Sequence, residues 1–164
     1  VSSVLRKLGD VHYYGPRLQS VRVKKNSRND VTYLVYSSGK IVVTGSEDVE
    51  RAFDNVERII RLLESYVRVS SDKVHVVVEN IVAADELGFQ VQLNNLRERL
   101  EQKMRNVLYE PDMFPGLIYK LGFGRPSVLI FSTGRFIVTG SKTEDEALRT
   151  CEEIKREIAE LIEN

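Results

Sequence analysis

The chain has 164 residues, 42% hydrophobic and 29% charged, which suits one ordinary globular domain or two small halves sharing a core. No apolar run approaches the roughly 18 residues of a membrane helix, and Val1 to Arg6 lack a signal-peptide layout, so a soluble intracellular protein is expected. A lone cysteine, Cys151, excludes an internal disulfide, two histidines (His12 and His75) disfavour a zinc site, and 24 basic against 24 acidic residues leave nucleic-acid affinity to charge distribution.

Taken in chain order, the first half opens on a basic run, Arg17, Arg22, Lys24, Lys25 and Arg28, with no acid until Asp30. An apolar run from Val31 to Tyr36, a Ser37-Ser38-Gly39-Lys40 turn and a β-branched run from Ile41 then predict a hairpin, with glycine supplying the positive φ of the turn. Val49, Ala52, Phe53, Val56, Ile59, Ile60 and Leu63 follow at helical spacing, so a helix beginning near Glu47 is expected, capped by Ser46. Val74 to Val82 reads as an apolar strand and Leu93 to Val107 as an amphipathic helix. Tyr109 to Tyr119 carries Pro111 and Pro115, which mark a bend into an edge-like strand.

The hairpin then recurs. Ser132 to Ser141 matches Ser37 to Ser46 at six of ten positions, 95 residues further on, and a second helical stripe follows through Ala147, Leu148, Cys151, Ile154, Ile158, Leu161 and Ile162 behind a cap at Ser141 or Thr143. The chain is a tandem duplication, with units expected at residues 1–72 and 73–164. The first unit is short by one strand, and the chain is expected to open inside the helix that follows it. Cys151 reads as helix core. The hairpin strands are apolar on both faces, which a sheet covered by helices on one side does not require. Their second face meets another sheet, another subunit or a shallow apolar ligand, and the minor groove at A·T pairs is one such ligand.

The string Tyr109-Glu110-Pro111-Asp112-Met113-Phe114-Pro115-Gly116-Leu117-Ile118-Tyr119-Lys120, with the paired Thr-Gly hairpins, resembles the second repeat of the TATA-binding protein family, in a divergent, TBP-related form. The resemblance implies an α+β, saddle-like fold in which two pseudo-symmetric repeats form one curved antiparallel sheet with long helices on its convex face. It implies a general initiation factor, not an enzyme, that docks on promoter DNA from the minor groove, bends it and seats other factors. Phe114 and Phe131 match the family's wedge residues, and Leu18 and Tyr36 occupy those places in the first repeat. Asn80 matches its groove-reading asparagine, Thr44 and Thr139 its paired threonines, and Val42, Ile137, Leu34, Leu129 and Val82 its apolar groove lining. Lys24, Arg28, Lys40, Arg125 and Arg135 lie where phosphates would pass, as does Lys142.

Glu110, Asp112 and Met113 match the surface where a TFIIB-type factor docks. The edge for a TFIIA-type factor would carry Asp10, His12 and Asn26, which depart from the family's asparagine, glutamate and arginine. RNA polymerase initiation machinery is the implied wider partner, in a nucleus or, for an archaeal source, a cytoplasm. No cofactor and no metal are implied. The alternative is a scaffold of the same fold with weak or no intrinsic DNA binding, which the neutral total charge allows. A catalytic role has no visible nucleophile with a base, carboxylate pair or phosphate loop behind it.

Overall fold

Gly39 and Gly134 occupy the turns of two equivalent hairpins, with φ of 89° and 88°, and each donates its N–H back to the residue three before it, Tyr36 at 3.0 Å and Phe131 at 2.9 Å. The internal repeat therefore reproduces the turn geometry, and around each turn a separate antiparallel sheet forms. The computed structural model describes residues 10–14, 20–24, 31–65 and 74–163, which divide into two units, Val1–Val76 and Val77–Asn164.

In the first unit β1 (Asp10–Tyr14), β2 (Ser20–Lys24), β3 (Thr32–Tyr36) and β4 (Ile41–Thr44) make a sheet in that order, followed by helix α1 (Val49–Glu64). The second unit runs β5 (Ile81–Glu86), α2 (Leu93–Gln102), β6 (Asn106–Leu108), β7 (Gly116–Lys120), β8 (Ser127–Phe131), β9 (Arg135–Ser141) and α3 (Glu144–Glu163). Its sheet order is β5-β9-β8-β7-β6, antiparallel throughout. Both units are thus α+β. Removing β5 and α2 from the second leaves the described element order of the first.

Strand alternation decides which face each helix covers. Leu117, Tyr119, Val128, Ile130, Phe136 and Val138 point to one side of the second sheet and pack with Leu93, Leu96 and Leu100 of α2 and Cys151, Ile154, Ile158 and Leu161 of α3. Complete burial of a side chain such as Phe136 or Ile154 contributes about 1.5–3 kcal/mol. In the first unit Tyr33 and Val43 turn toward Ile59, Leu62 and Leu63 of α1. Tyr33 also donates its hydroxyl to Asn55 Oδ1 at 3.1 Å, and Asn55 in turn donates to Ser46 Oγ at 3.2 Å. Ser46 thereby buttresses the helix side chain, and the helix cap is Asp48, which accepts from the Arg51 N–H at 2.7 Å. Thr143 does cap α3, accepting from the Glu146 N–H at 3.1 Å.

Three sequence expectations shift. The helix read to Val107 ends at Gln102, because Met104 adopts φ 55° and the N–H groups of Met104 and Arg105 bond back to Glu101 and Leu100, closing the last turn before β6. The strand read over Val74 to Val82 begins at Ile81 and runs to Glu86, with residues 74–80 outside regular structure. β7 is no edge strand, since it pairs with both β6 and β8: the prolines precede it and remove none of its ladder donors. Leu18, Arg28 and Asn26, with the helix expected at the chain start, lie outside the described residues.

Candidate nucleic-acid interface

The face of each sheet turned away from its helix carries the described groove-lining residues singled out in the sequence. In the second unit, direct cross-strand partners form layers along that face. Val82 pairs with Thr139, then Ser127, then Lys120, and Ala84 pairs with Ile137, then Leu129, then Ile118. Beyond them come Glu86 opposite Arg135, and Phe131 opposite Gly116. The face therefore grades from a polar end through an apolar middle to an end where the charged Glu86 and Arg135 stand beside Phe131. In the first unit Leu34 pairs with Val42 and Thr32 with Thr44, placing Leu34, Tyr36, Val42 and Thr44 on one face. Lys24 ends β2 opposite Thr32.

Phe114, from the turn before β7, meets Phe131 edge to face, with ring centroids 5.9 Å apart and planes at 63°. The pair rests on bare backbone. A Cβ on Gly116 would lie 2.7 Å from Phe114 Cε1 and 3.1 Å from Phe131 Cε1, so glycine is what lets both rings sit there. Sequence reasoning missed Gly116 as a positioning residue, although it stood inside the Pro-Gly of the resemblance string.

Asn80 precedes β5 and reaches across to β9. Its Oδ1 accepts the Gly140 N–H at 2.7 Å and lies 3.5 Å from Thr139 Oγ1. A backbone N–H can only donate, so the amide oxygen must face it, and the two Nδ2 donors are left uncommitted by that bond. Gly140 has φ 99°, which lets the strand offer its N–H in that direction.

The cationic residues divide. Lys40 and Arg135 are exposed beside the two turns. Arg125 is drawn to the helix side: its guanidinium binds Glu153 of α3 at 2.7 Å, and that bond holds it above the ordinary arginine value. It leaves the candidate phosphate row for this reason. Lys142 bonds the Glu79 carbonyl at 2.5 Å. On the same helix side, Glu157 accepts from the Tyr119 hydroxyl at 3.0 Å and binds Arg105 at 2.9 Å. Burial, joined by the Glu157 carboxylate, pushes the Tyr119 phenol up to about 12. Lys155 holds Asp85 at 2.6 Å, and this hydrogen bond lowers the Asp85 carboxyl below its usual range.

Glu110, Asp112 and Met113 share one exposed turn, closed by Met113 and Phe114 N–H groups donating to the Glu110 carbonyl at 3.0 and 2.9 Å. Met113 is 82% exposed, an unusual position for so apolar a side chain. Asp10 and His12 fall in β1.

Comparison with known proteins matches residues 4–66 and 75–161 to the family model described as transcription factor TFIID, or TATA-binding protein. The chain is 35% identical over 161 residues to a TATA-box-binding protein of Archaeoglobus fulgidus, covering 98% of this chain and 86% of that one. It is 38% identical over 131 residues to one from Sulfolobus acidocaldarius, of which it spans 64%. The solved Methanococcus jannaschii TBP superposes with a TM-score of 0.77 at 28% identity, over 96% of this chain and 87% of that one.

Proposed function

The chain belongs to the TATA-binding protein family, and from that premise we propose that it is a general transcription initiation factor that binds promoter DNA through the open face of its sheets, from the minor groove. The observation that carries this reading is the layered face itself: Asn80, Val82, Thr139, Ile137, Leu129 and Phe131 share one side of the second sheet, and Leu34, Tyr36, Val42 and Thr44 one side of the first. Such a surface, apolar with few polar atoms, suits the sugar walls and acceptor-only A·T edges of the minor groove. Phe114 and Phe131 supply an apolar wedge for an unstacked base step, which is how this family is known to bend DNA. Phosphates pass Lys40 and Arg135, with Lys24 and Arg28 proposed on the same grounds of sequence.

A titration of A·T-rich against G·C-rich duplex across a salt series tests the reading. Preference for A·T-rich duplex is expected, with affinity falling as salt rises. Arg135→Ala should flatten the slope by about 0.9, while Arg125→Ala, whose charge is held by Glu153, leaves it unchanged. Absence of binding at low salt favours the scaffold alternative. That alternative draws on the equal count of acids and bases and on Glu86, which stands directly opposite Arg135.

Glu110, Asp112 and Met113 form the proposed seat for a TFIIB-type factor, on an exposed turn whose substitution leaves the core untouched. Glu110→Arg should abolish capture of that factor, and unchanged capture would remove the assignment. A TFIIA-type factor would meet the β1 edge at Asp10 and His12, and through these factors the polymerase is engaged. The archaeal relatives favour a cytoplasmic setting over a nuclear one.

A further inference from the structure

The polar end of the second sheet's open face holds one group that the reading above leaves without a task. Ser127, half-buried at the start of β8, stands directly opposite Thr139, on the same face as Val82, Ile137 and Leu129. Its first-unit counterpart, Thr32, is 6% exposed, so this hydroxyl is presented by the second unit alone.

Donor and acceptor placement around it is set by the Asn80 bonds. Gly140 donates to Asn80 Oδ1 at 2.7 Å, which fixes that atom as an acceptor, so the 3.5 Å approach of Thr139 Oγ1 to the same oxygen is made with the threonine's proton. With its proton turned inward, the Thr139 hydroxyl offers the open face lone pairs. Ser127 adds a second hydroxyl alongside. This end of the sheet therefore presents the Asn80 amino donors and two hydroxyl acceptors, with the exposed Lys120 of β7 directly opposite Ser127 on its other side, whereas the next layer, Ala84, Ile137, Leu129 and Ile118, presents carbon only.

The minor groove distinguishes base pairs at this level of detail. Every pair offers acceptors at adenine N3 or thymine O2 and their equivalents, and only G·C adds a donor, the guanine N2 amino group. An apolar layer leaves that amino group buried without a partner and so rejects G·C. We propose that Ser127, paired with Thr139, is a specificity-determining residue that accepts a hydrogen bond from guanine N2, so that the polar end tolerates a G·C pair that the apolar layer beside it excludes. The proposal rests on the minor-groove reading and refines it, turning a uniform preference for A·T into a stepwise one.

Inosine separates the amino group from every other property of guanine, because an inosine·cytosine pair lacks only N2. The experiment uses the full chain and an A·T-rich duplex in which each step in turn is replaced by G·C or by inosine·cytosine, with Ser127→Ala and Thr139→Val as variants and thermal melting to establish that each is folded. For the unaltered protein, one step is expected at which G·C binds within about threefold of inosine·cytosine, while neighbouring steps lose about tenfold or more. Ser127→Ala should lower G·C affinity at that step about tenfold and leave the all-A·T and inosine·cytosine affinities within about twofold. An unchanged ratio of G·C to inosine·cytosine in Ser127→Ala at every step overturns the assignment. So does a steep G·C loss at all steps in the unaltered protein. Failure of the all-A·T duplex to bind overturns the minor-groove reading beneath it, a result recognisable before any substitution is compared.

Discussion

Tyr119 shows how a single side chain serves the fold behind the face. Its ring belongs to the core, its hydroxyl donates to Glu157 at 3.0 Å, and Arg105 holds the same carboxylate from the other side at 2.9 Å. Ionising the phenol would place a second negative charge against Glu157 in a desolvated position, so its value rises from 10.0 to about 12. A folded-state value above the unfolded one means that the contribution is complete below pH 10 and disappears as pH climbs toward 12. Denaturant titrations from pH 8 to 12 should therefore find the native protein more stable than Tyr119→Phe by about 1 kcal/mol at pH 8, the difference shrinking through that upper window. A difference that is flat with pH would show that the hydroxyl bond carries no weight. Some of the residue scale was legible in the sequence and some was not. The resemblance singled out Phe114 and Phe131 one by one, without their edge-to-face contact, and helical spacing gave the packing of Cys151. Gly116, Ser127 and the orientation of the Asn80 amide were hidden, because each depends on what lies across a strand pair, which one chain position does not display. Arg125 was misplaced for the same reason: a basic residue beside a hairpin reads alike whether it faces phosphate or a glutamate of the covering helix.

At the scale of elements, the two hairpins share dihedral angles and differ in surroundings. A Cβ on Gly134 would collide with the Phe89 carbonyl, because residues 87 and 91 bond to Gly134 and Ser132 at 2.9 Å each and draw that segment over the turn. At Gly39 a Cβ meets nothing within 4 Å. Gly39→Ala should thus cost about 1 kcal/mol, the penalty of positive φ alone, and Gly134→Ala at least twice that, since backbone must also move. Equal losses in chemical denaturation would show that the segment before α2 yields freely. The repeat itself was legible because its hairpin is spelled out twice, 95 positions apart. β1 and β2 escaped notice, although the same offset applied to β6 and β7 points to residues 11–13 and 21–25; Ser20 to Lys24 alternates Val21 and Val23 with Arg22 and Lys24, a strand pattern hidden inside a run read only for its charge. The ends of α2 and β5 were misjudged where apolar residues continue past a boundary that hydrogen bonds, not composition, determine: Met104 closes the helix by adopting positive φ without being glycine.

For the molecule as a whole, charge is sorted rather than summed. Helices α1 and α3 carry ion pairs of their own, Arg61 with Glu57 at 2.9 Å and Arg149 with Asp145, and Lys155 of α3 binds Asp85 of β5, so these acids are answered on the helix side of each sheet. The open faces are unequal. The second unit offers Phe131 and Phe114 over a glycine, whereas the first offers Tyr36, whose hydroxyl would enter the gap between unstacked bases. Unstacking a step costs a few kcal/mol, about what an apolar wedge and the contacts of a bent duplex return, and a polar tip returns less. Bending should therefore be dominated by the second unit. The most direct measurement is the bend angle of an A·T-rich duplex, by energy transfer between its ends, with the unaltered protein, Phe131→Ala and Tyr36→Ala. The account predicts a bend that Phe131→Ala largely removes and Tyr36→Ala largely preserves; a bend lost with Tyr36→Ala and retained with Phe131→Ala would contradict it.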